Sequence, residues 1–277
     1  MSNRARAQYL AGRAYQRGRI AAGRLRGGRS WRGVRILGYH RIAEGRDSLC
    51  VTPADFAAQM QMVARLDAEP IRLDAALDLL ARPVTGRYVA VTFDDGYHDY
   101  LVEAAPVLER HGIPATIFVP SAIIDGTAAF SWYRDPPRAL TWDEIRDLVG
   151  GGLVDVQAHT RTHPRLPGVD HARARDEIAG CKRDIEARVG YEVSSFCYPA
   201  GLYGAREVAL VRAAGYRAAV TTDPGVNGGG AAPETLRRTL VFRGDSAPQF
   251  EAKLGGLLDH RGHLQRWLHR RRSRPRA

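Results

Sequence analysis

Two adjacent aspartates, Asp94 and Asp95, end an apolar run that has the pattern of a buried strand, and Gly96 follows them. Neighbouring carboxylates repel each other, so this arrangement indicates a site for a cation. A second pair, His159 and His163, stands four residues apart, and one helical turn would bring the two imidazoles together. Two histidines and one carboxylate, with one position open, form a recurring catalytic zinc arrangement. The spacing therefore predicts a divalent metal site.

One aspartate suffices as the third ligand, and the residues alone leave open whether it is Asp94 or Asp95. The other carboxylate, held close to the metal, would act as a general base on water. The alternative interpretation is that these aspartates form an ordinary turn and that His163 lies on the surface. We favour the metal site because both pairs are predicted at the same edge of one sheet.

Alternating strand and helix patterns from about residue 33 predict the scaffold that would position these side chains. Helices are predicted at about 52–67, 74–80, 99–111, 141–150, 170–189, 204–214 and 247–269. Strands are predicted at 34–39, 88–93, 115–119, 154–158, 195–199, 218–221 and 236–241. This pattern indicates a single α/β domain whose parallel sheet is closed or nearly closed. The candidate residues follow the ends of strands, where such folds build their sites.

The net charge of +11 is carried by the two ends of the chain. Residues 1–35 contain ten arginines and no acidic residue, and 270–276 contains five more arginines. The part of the chain between the two ends contains 26 basic and 30 acidic residues and is therefore slightly acidic, so nucleic acid is not an expected partner. Solvated tails are the simplest interpretation of the ends. Peripheral contact with an anionic membrane is the alternative, since apolar residues stand among the first arginines.

Cysteine usage and hydropathy predict a cytoplasmic location, with any membrane contact at the inner face. Cys50, Cys181 and Cys197 form neither a metal-binding pattern nor an even set for disulfides. No segment has the roughly 18 apolar residues of a membrane span or the apolar centre of a secretion signal. We expect three regions. An Arg-rich extension covers 1–32, the catalytic domain covers 33–246, and a helix with an Arg-rich tail covers 247–277.

Three motifs, in this order, resemble those of the polysaccharide deacetylase family (the NodB-homology domain, carbohydrate esterase family four). They are Thr92-Phe93-Asp94-Asp95-Gly96-Tyr97, His159-Thr160-Arg161-Thr162-His163-Pro164 and Phe196-Cys197-Tyr198-Pro199-Ala200-Gly201. The resemblance covers about 34–245 and implies a distorted (β/α)7 barrel that hydrolyses an N-acetyl, or sometimes O-acetyl, group on a sugar. It implies that Asp94 is the general base. It also implies that Asp95, His159 and His163 hold one divalent ion, Zn²⁺ first, with Co²⁺ or Ni²⁺ as alternatives.

The third motif supplies further expected contacts. The backbone N–H of Ala200 would stabilise the oxyanion, a contribution of roughly 3–4 kcal/mol for such donors. Substrate contacts are expected from Tyr97, Tyr198, Pro199 and Asp223. A role in packing explains Tyr198 equally well, and the conformation of a turn explains Asp223 equally well.

Two departures from the family pattern affect catalysis. Members often carry arginine at the start of the third motif, where this chain has Cys197, so the arginine that orients the base is expected to be missing. Many members also have a histidine in a Leu-x-His motif on the last strand, and residues 236–242 contain none. His40 ends the first strand, as in members with an amino-terminal Tyr-His pair, and we predict that it protonates the leaving amine.

The sequence thus predicts a metal-dependent deacetylase acting on an N-acetylated polysaccharide, oligosaccharide or lipid-linked glycan. One alternative keeps the site but changes the substrate to small non-sugar amides. The other is a catalytically silent glycan-binding protein, which the missing arginine and the missing late histidine would explain.

Overall fold

Parallel strands curve into a nearly closed barrel in this computed structural model, which describes residues 31–259. The strands are β1 Gly33–Tyr39, β2 Arg41–Ile42, β3 Cys50–Val51, β4 Glu69–Pro70, β5 Arg87–Asp94, β6 Ala115–Val119, β7 Val154–Ala158, β8 Ser195–Cys197, β9 Ala218–Val220 and β10 Arg238–Leu240. Seven of them form the barrel in the order β10-β1-β5-β6-β7-β8-β9. A parallel bridge between Val220 and Leu236 joins the two outer edges. The predicted α/β barrel is confirmed.

Helices connect the strands and surround the barrel. They are α1 Pro53–Ala64, α2 Leu73–Leu80, α3 Ala105–His111, α4 Ser121–Ile124, α5 Trp142–Gly150, α6 His171–Arg175, α7 Cys181–Val189, α8 Ala205–Ala213 and α9 Ala247–Leu254. Within residues 31–259, every helix is too short or too polar to cross a membrane. The Arg-rich ends, 1–30 and 260–277, lie outside the described residues, so the membrane contact expected from them stays a prediction.

Strand residues alternate between two apolar layers, which explains why the strands are apolar almost throughout. Side chains such as Leu37, Val91 and Ile117 belong to the larger core. Their neighbours in the sequence, including Ile36 and Ala90, fill the second core, to which α2 also contributes. The alternation continues to the last residue of β5, so Asp94 lies on the same face of its strand as Ala90.

Two of the predicted helices are interrupted by π-helical segments. The segment Tyr100–Ala104 precedes α3, and the segment Asp176–Gly180 joins α6 to α7. π-Segments often occur at functional sites, because the extra residue in the turn redirects side chains. The second segment contains Glu177, which is buried and contacts the histidine motif.

Candidate metal and catalytic site

The aspartate pair and the histidine pair meet at the carboxyl edge of the barrel. Asp95 Oδ1 lies 3.6 Å from His159 Nε2 and 3.5 Å from His163 Nε2. The two imidazole centroids are 4.7 Å apart. Three side chains from two distant segments thus converge on one point. This is the arrangement expected of residues that follow the carboxyl ends of parallel strands.

The segment between the histidines is a bend, and the predicted helical turn is wrong. Thr160 and His163 both have positive φ, at 65° and 56°, which a helix does not allow. The Thr160 hydroxyl accepts from the His163 N–H, and one oxygen of Glu177 accepts from the N–H groups of Arg161 and Thr162. The imidazoles therefore meet because side chains bind the backbone of the bend.

Left-handed backbone conformation is concentrated in the three motifs. Among the described residues, those other than glycine with positive φ are Asp95, Thr160, His163 and Ala200. Such conformations cost of order 1–3 kcal/mol each and persist only where the surroundings impose them. Gly201 is held by space as well, because a Cβ there would lie 2.1 Å from Thr222 Oγ1. Strain at all three motifs indicates that their geometry serves a site rather than the stability of the fold.

The residues present fit a divalent cation. Asp95 Oδ1 is buried and has no hydrogen-bond partner, which is costly for a carboxylate unless a cation binds there. His159 Nδ1 lies 2.8 Å from the Cys197 carbonyl, which can only accept, so Nδ1 carries the proton and Nε2 keeps its lone pair. Burial lowers the pKa of His159 to about 3 and that of His163 to about 4, so both imidazoles are neutral at pH 7. Two neutral nitrogens and one carboxylate oxygen suit Zn²⁺.

Asp94 is held by Arg238 in a two-point ion pair inside the barrel. Arg238 Nη1 donates to Oδ1 over 2.5 Å and Nη2 donates to Oδ2 over 2.7 Å. Burial alone would raise the pKa of Asp94, but the charges of Arg238 and His40 and the hydrogen bonds from Arg238 outweigh it, and the pKa lies well below its usual range. Cys197, His159 and Asp94 also lie close enough to share an ion. We favour Asp95 as the ligand because both oxygens of Asp94 are already engaged by Arg238.

The expectation that the base lacks an orienting arginine is therefore wrong. The guanidinium comes from β10 and not from the third motif, and Cys197 contacts it, with Arg238 Nη2 lying 3.2 Å from the sulfur. A sequence signal existed, because a charged residue in the middle of a buried strand requires a partner. The acid motif on β5 offered the obvious partner.

The other predicted residues occupy different positions around this centre. His40 Nε2 lies 3.6 Å from Asp94 Oδ2. Ala200 is exposed in the turn Pro199–Gly201 that follows β8. Asp223 follows β9, and its carbonyl accepts from the Arg238 N–H.

Three of the expected substrate contacts, Tyr97, Tyr198 and Pro199, are buried. Tyr198 is fully buried between Phe196 and Tyr203, and its hydroxyl donates to the Glu234 carbonyl, which matches the packing role. Tyr97 is also buried, against aromatic side chains of the 126–139 loop. Within the third motif, Ala200 is exposed and Gly201 is partly exposed.

We predict that Glu177→Ala lowers zinc affinity by about 10–100-fold, the usual effect of removing a group that orients metal ligands. The substitution leaves two backbone N–H groups of the histidine bend without their acceptor. Competition with a chelator measures the affinity, and Glu177→Gln should recover part of it. Glu192→Ala, at a largely exposed side chain, is the control. Equal affinities in the Glu177→Ala and Glu192→Ala proteins would contradict the prediction.

Fold and site together define an α/β-barrel protein with a candidate metal centre and a clamped carboxylate at the carboxyl edge of its strands. The family model described as polysaccharide deacetylase matches residues 81–219, and the chain belongs to that family. His40 and Arg238 both lie outside the matched residues, so their proximity to Asp94 is a finding of the structure.

Several known proteins align with this chain over most of its length. A Bacillus subtilis relative named "Putative polysaccharide deacetylase YxkH" is 28% identical over 219 residues, which are 78% of this chain and 74% of the relative. The structure of IcaB from Ammonifex degensii superposes with a TM-score of 0.69 at 26% identity, covering 82% of this chain and 98% of that one. The Streptococcus pyogenes deacetylase PplD, solved with acetate, has a TM-score of 0.71 at 20% identity, covering 80% and 98%, and shares the fold.

Proposed function

We propose that the protein is a metal-dependent hydrolase that removes an acetyl group, N-acetyl first, from a sugar unit of a polysaccharide, oligosaccharide or lipid-linked glycan. The observation that carries the proposal is the meeting of Asp95, His159 and His163 beside a separately held carboxylate, Asp94. Membership of the polysaccharide deacetylase family supports the substrate class. Zn²⁺ is the favoured ion, with Co²⁺ or Ni²⁺ as alternatives.

A bound metal would supply Lewis acidity that polarises the acetyl carbonyl. Asp94 stays deprotonated because Arg238 and His40 favour its charged form, so it is available to accept a proton from the attacking water. A carboxylate with a low pKa is a weak base, and its contribution then depends on fixed position, which the two hydrogen bonds from Arg238 provide. The Ala200 N–H would donate to the oxyanion from the exposed turn after β8.

His40 is proposed as the proton donor to the leaving amine. Its side chain is 12% exposed and stands beside Asp94 at the carboxyl end of β1. Its Nε2 is the ring nitrogen that lies near Asp94, and its Nδ1 is buried without a hydrogen-bond partner. A proton donor to the leaving nitrogen would complete amide hydrolysis.

We predict that His40→Gln lowers kcat for an N-acetylated sugar by about 10²-fold, as expected for loss of a general acid. An activated ester such as p-nitrophenyl acetate is the matched substrate, because its leaving group departs without a proton. The ratio of the two kcat losses is the measurement. Equal losses for amide and ester would remove His40 from the acid role.

The function is tested on purified protein by metal analysis together with an acetate-release screen. The screen uses chitopentaose and other N-acetylhexosamine glycans, each with and without a chelator. Small cyclic amides are assayed in parallel for ring opening, because their hydrolysis releases no acetate. Acetate release that the chelator abolishes and Zn²⁺ restores supports the proposal. Hydrolysis of the small amides alone would favour the non-sugar substrate, and metal binding without turnover would favour a silent glycan-binding protein.

A cytoplasmic location, with peripheral membrane contact through the Arg-rich ends, remains part of the proposal and rests on the sequence. Deleting residues 1–30 and measuring membrane association in fractionated cells tests it. Unchanged membrane association would remove the basis for contact through the amino-terminal arginines.

A further inference from the structure

Trp132 is a large apolar side chain left exposed at the edge of the candidate site. The residue is 43% exposed. Its ring centroid lies 4.4 Å from that of His163, with the planes at 50°. An exposed indole next to a candidate metal ligand is placed to contact a substrate bound at that ligand.

The surroundings of Trp132 hold the indole in place. Its ring contacts Phe130, at 5.3 Å between centroids, and Phe130 in turn contacts the buried Tyr97 at 4.6 Å. Tyr133 contacts both the indole of Trp132 and the ring of Tyr97, at 6.2 Å and 6.3 Å between centroids. Tyr133 donates to Asp47 over 2.6 Å, which ties this loop to the segment after β2. The indole is thus fixed before any ligand arrives, so little entropy is lost on binding.

The orientation suits a ligand with one apolar face and a polar rim. Contacts with Phe130 and His163 cover part of the indole, and the remaining surface is open to solvent. A side chain that only shielded His163 would have no need of this open surface. A pyranose ring has an apolar C–H face that can cover an aromatic ring, while its hydroxyl groups stay in water.

We propose that Trp132 is the stacking platform for a pyranose ring of the glycan, and so determines the preference for sugars over small amides. The inference rests on the proposed function, because it names the residue that would select that substrate class. The hydroxyl groups of the stacked sugar would project to solvent, and its acetamido group would reach the centre formed by Asp95, His159 and His163.

Binding of chitopentaose to the zinc-loaded protein tests the proposal. The Asp94→Asn protein serves as background, so that the ligand is not consumed, and calorimetry gives Kd. We expect Trp132→Ala to raise Kd by about tenfold and Trp132→Phe by about threefold or less, the range of aromatic stacking. Val102→Ala, at an exposed residue of the π-segment before α3, should leave Kd unchanged.

Zinc affinity is measured on the same proteins and separates stacking from support of His163. Unchanged zinc affinity with weaker chitopentaose binding supports the platform. Equal Kd values for Asp94→Asn and its Trp132→Ala derivative would overturn it while leaving the deacetylase proposal standing, as would a matching loss of zinc affinity. If the Asp94→Asn protein binds no N-acetylated oligosaccharide, the proposed function itself fails and the platform with it. In the otherwise unsubstituted enzyme, the platform predicts a raised KM for Trp132→Ala with a smaller change in kcat.

Discussion

Replacing Asp94 by asparagine is expected to lower kcat for acetate release by about 10³-fold or more, while the bound metal stays at its wild-type amount. An amide has no basic oxygen to accept the proton from water, but Asp95, His159 and His163 keep their positions and their ligand atoms. Zinc content and kcat are measured on the same preparation. Asp95→Asn is the matched comparison on the neighbouring residue, and it should lose zinc as well as activity.

The control for folding follows from the buried ion pair. Asp94→Asn leaves the charge of Arg238 buried without its partner, and breaking such a pair typically destabilises a protein by about 3–5 kcal/mol. The double substitution Asp94→Asn/Arg238→Met removes both charges and should recover much of that stability, with activity still absent. Thermal unfolding of the single and double variants separates the two effects. Wild-type turnover in a well-folded Asp94→Asn protein would exclude Asp94 as the base.

Replacing Arg238 by methionine is expected to lower kcat/KM by about 10²-fold at neutral pH and to move the acidic limb of the pH profile upward. In the native protein Arg238 helps to hold the pKa of Asp94 well below its usual range, so the base is ionised throughout the working pH range. Without the guanidinium, burial raises that pKa, and a higher pH is needed to deprotonate the base. Activity should therefore fall as the pH decreases, at values where the native enzyme is unaffected.

Arg238→Lys and Arg237→Met are the two controls. Lysine keeps the charge but loses the two-point contact, so the limb should move less while kcat still falls, which separates charge from orientation. Arg237 is the neighbouring arginine, is partly exposed and packs over Gly225, and its substitution should leave the profile unchanged. An acidic limb at the same pH in the native and Arg238→Met proteins would show that Arg238 does not set the ionisation of Asp94.

Local patterns predicted the scaffold and the main residues of the site. Strands such as β5 and β6 were visible because they are apolar and bounded by turns, and the rule that sites lie at the carboxyl ends of parallel strands placed Asp94 and His159 together. The histidine bend was predicted as a helical turn, because its true shape depends on Glu177, which lies on another element. Arg238 was missed for a related reason, since its contact with Asp94 spans 144 residues. Ion pairs of that range leave no periodic trace in a sequence, and the one available signal was an arginine within an otherwise buried strand.

The position of Arg238 bears on how catalytic competence is judged in this family. Judged on its third motif alone, this chain would be taken to lack the orienting arginine, because Cys197 stands where arginine is often found. Here the barrel delivers the same positive charge from another strand, and the smaller side chain lies against it. For this chain, what matters is therefore that a guanidinium reaches the aspartate, and not which position encodes it.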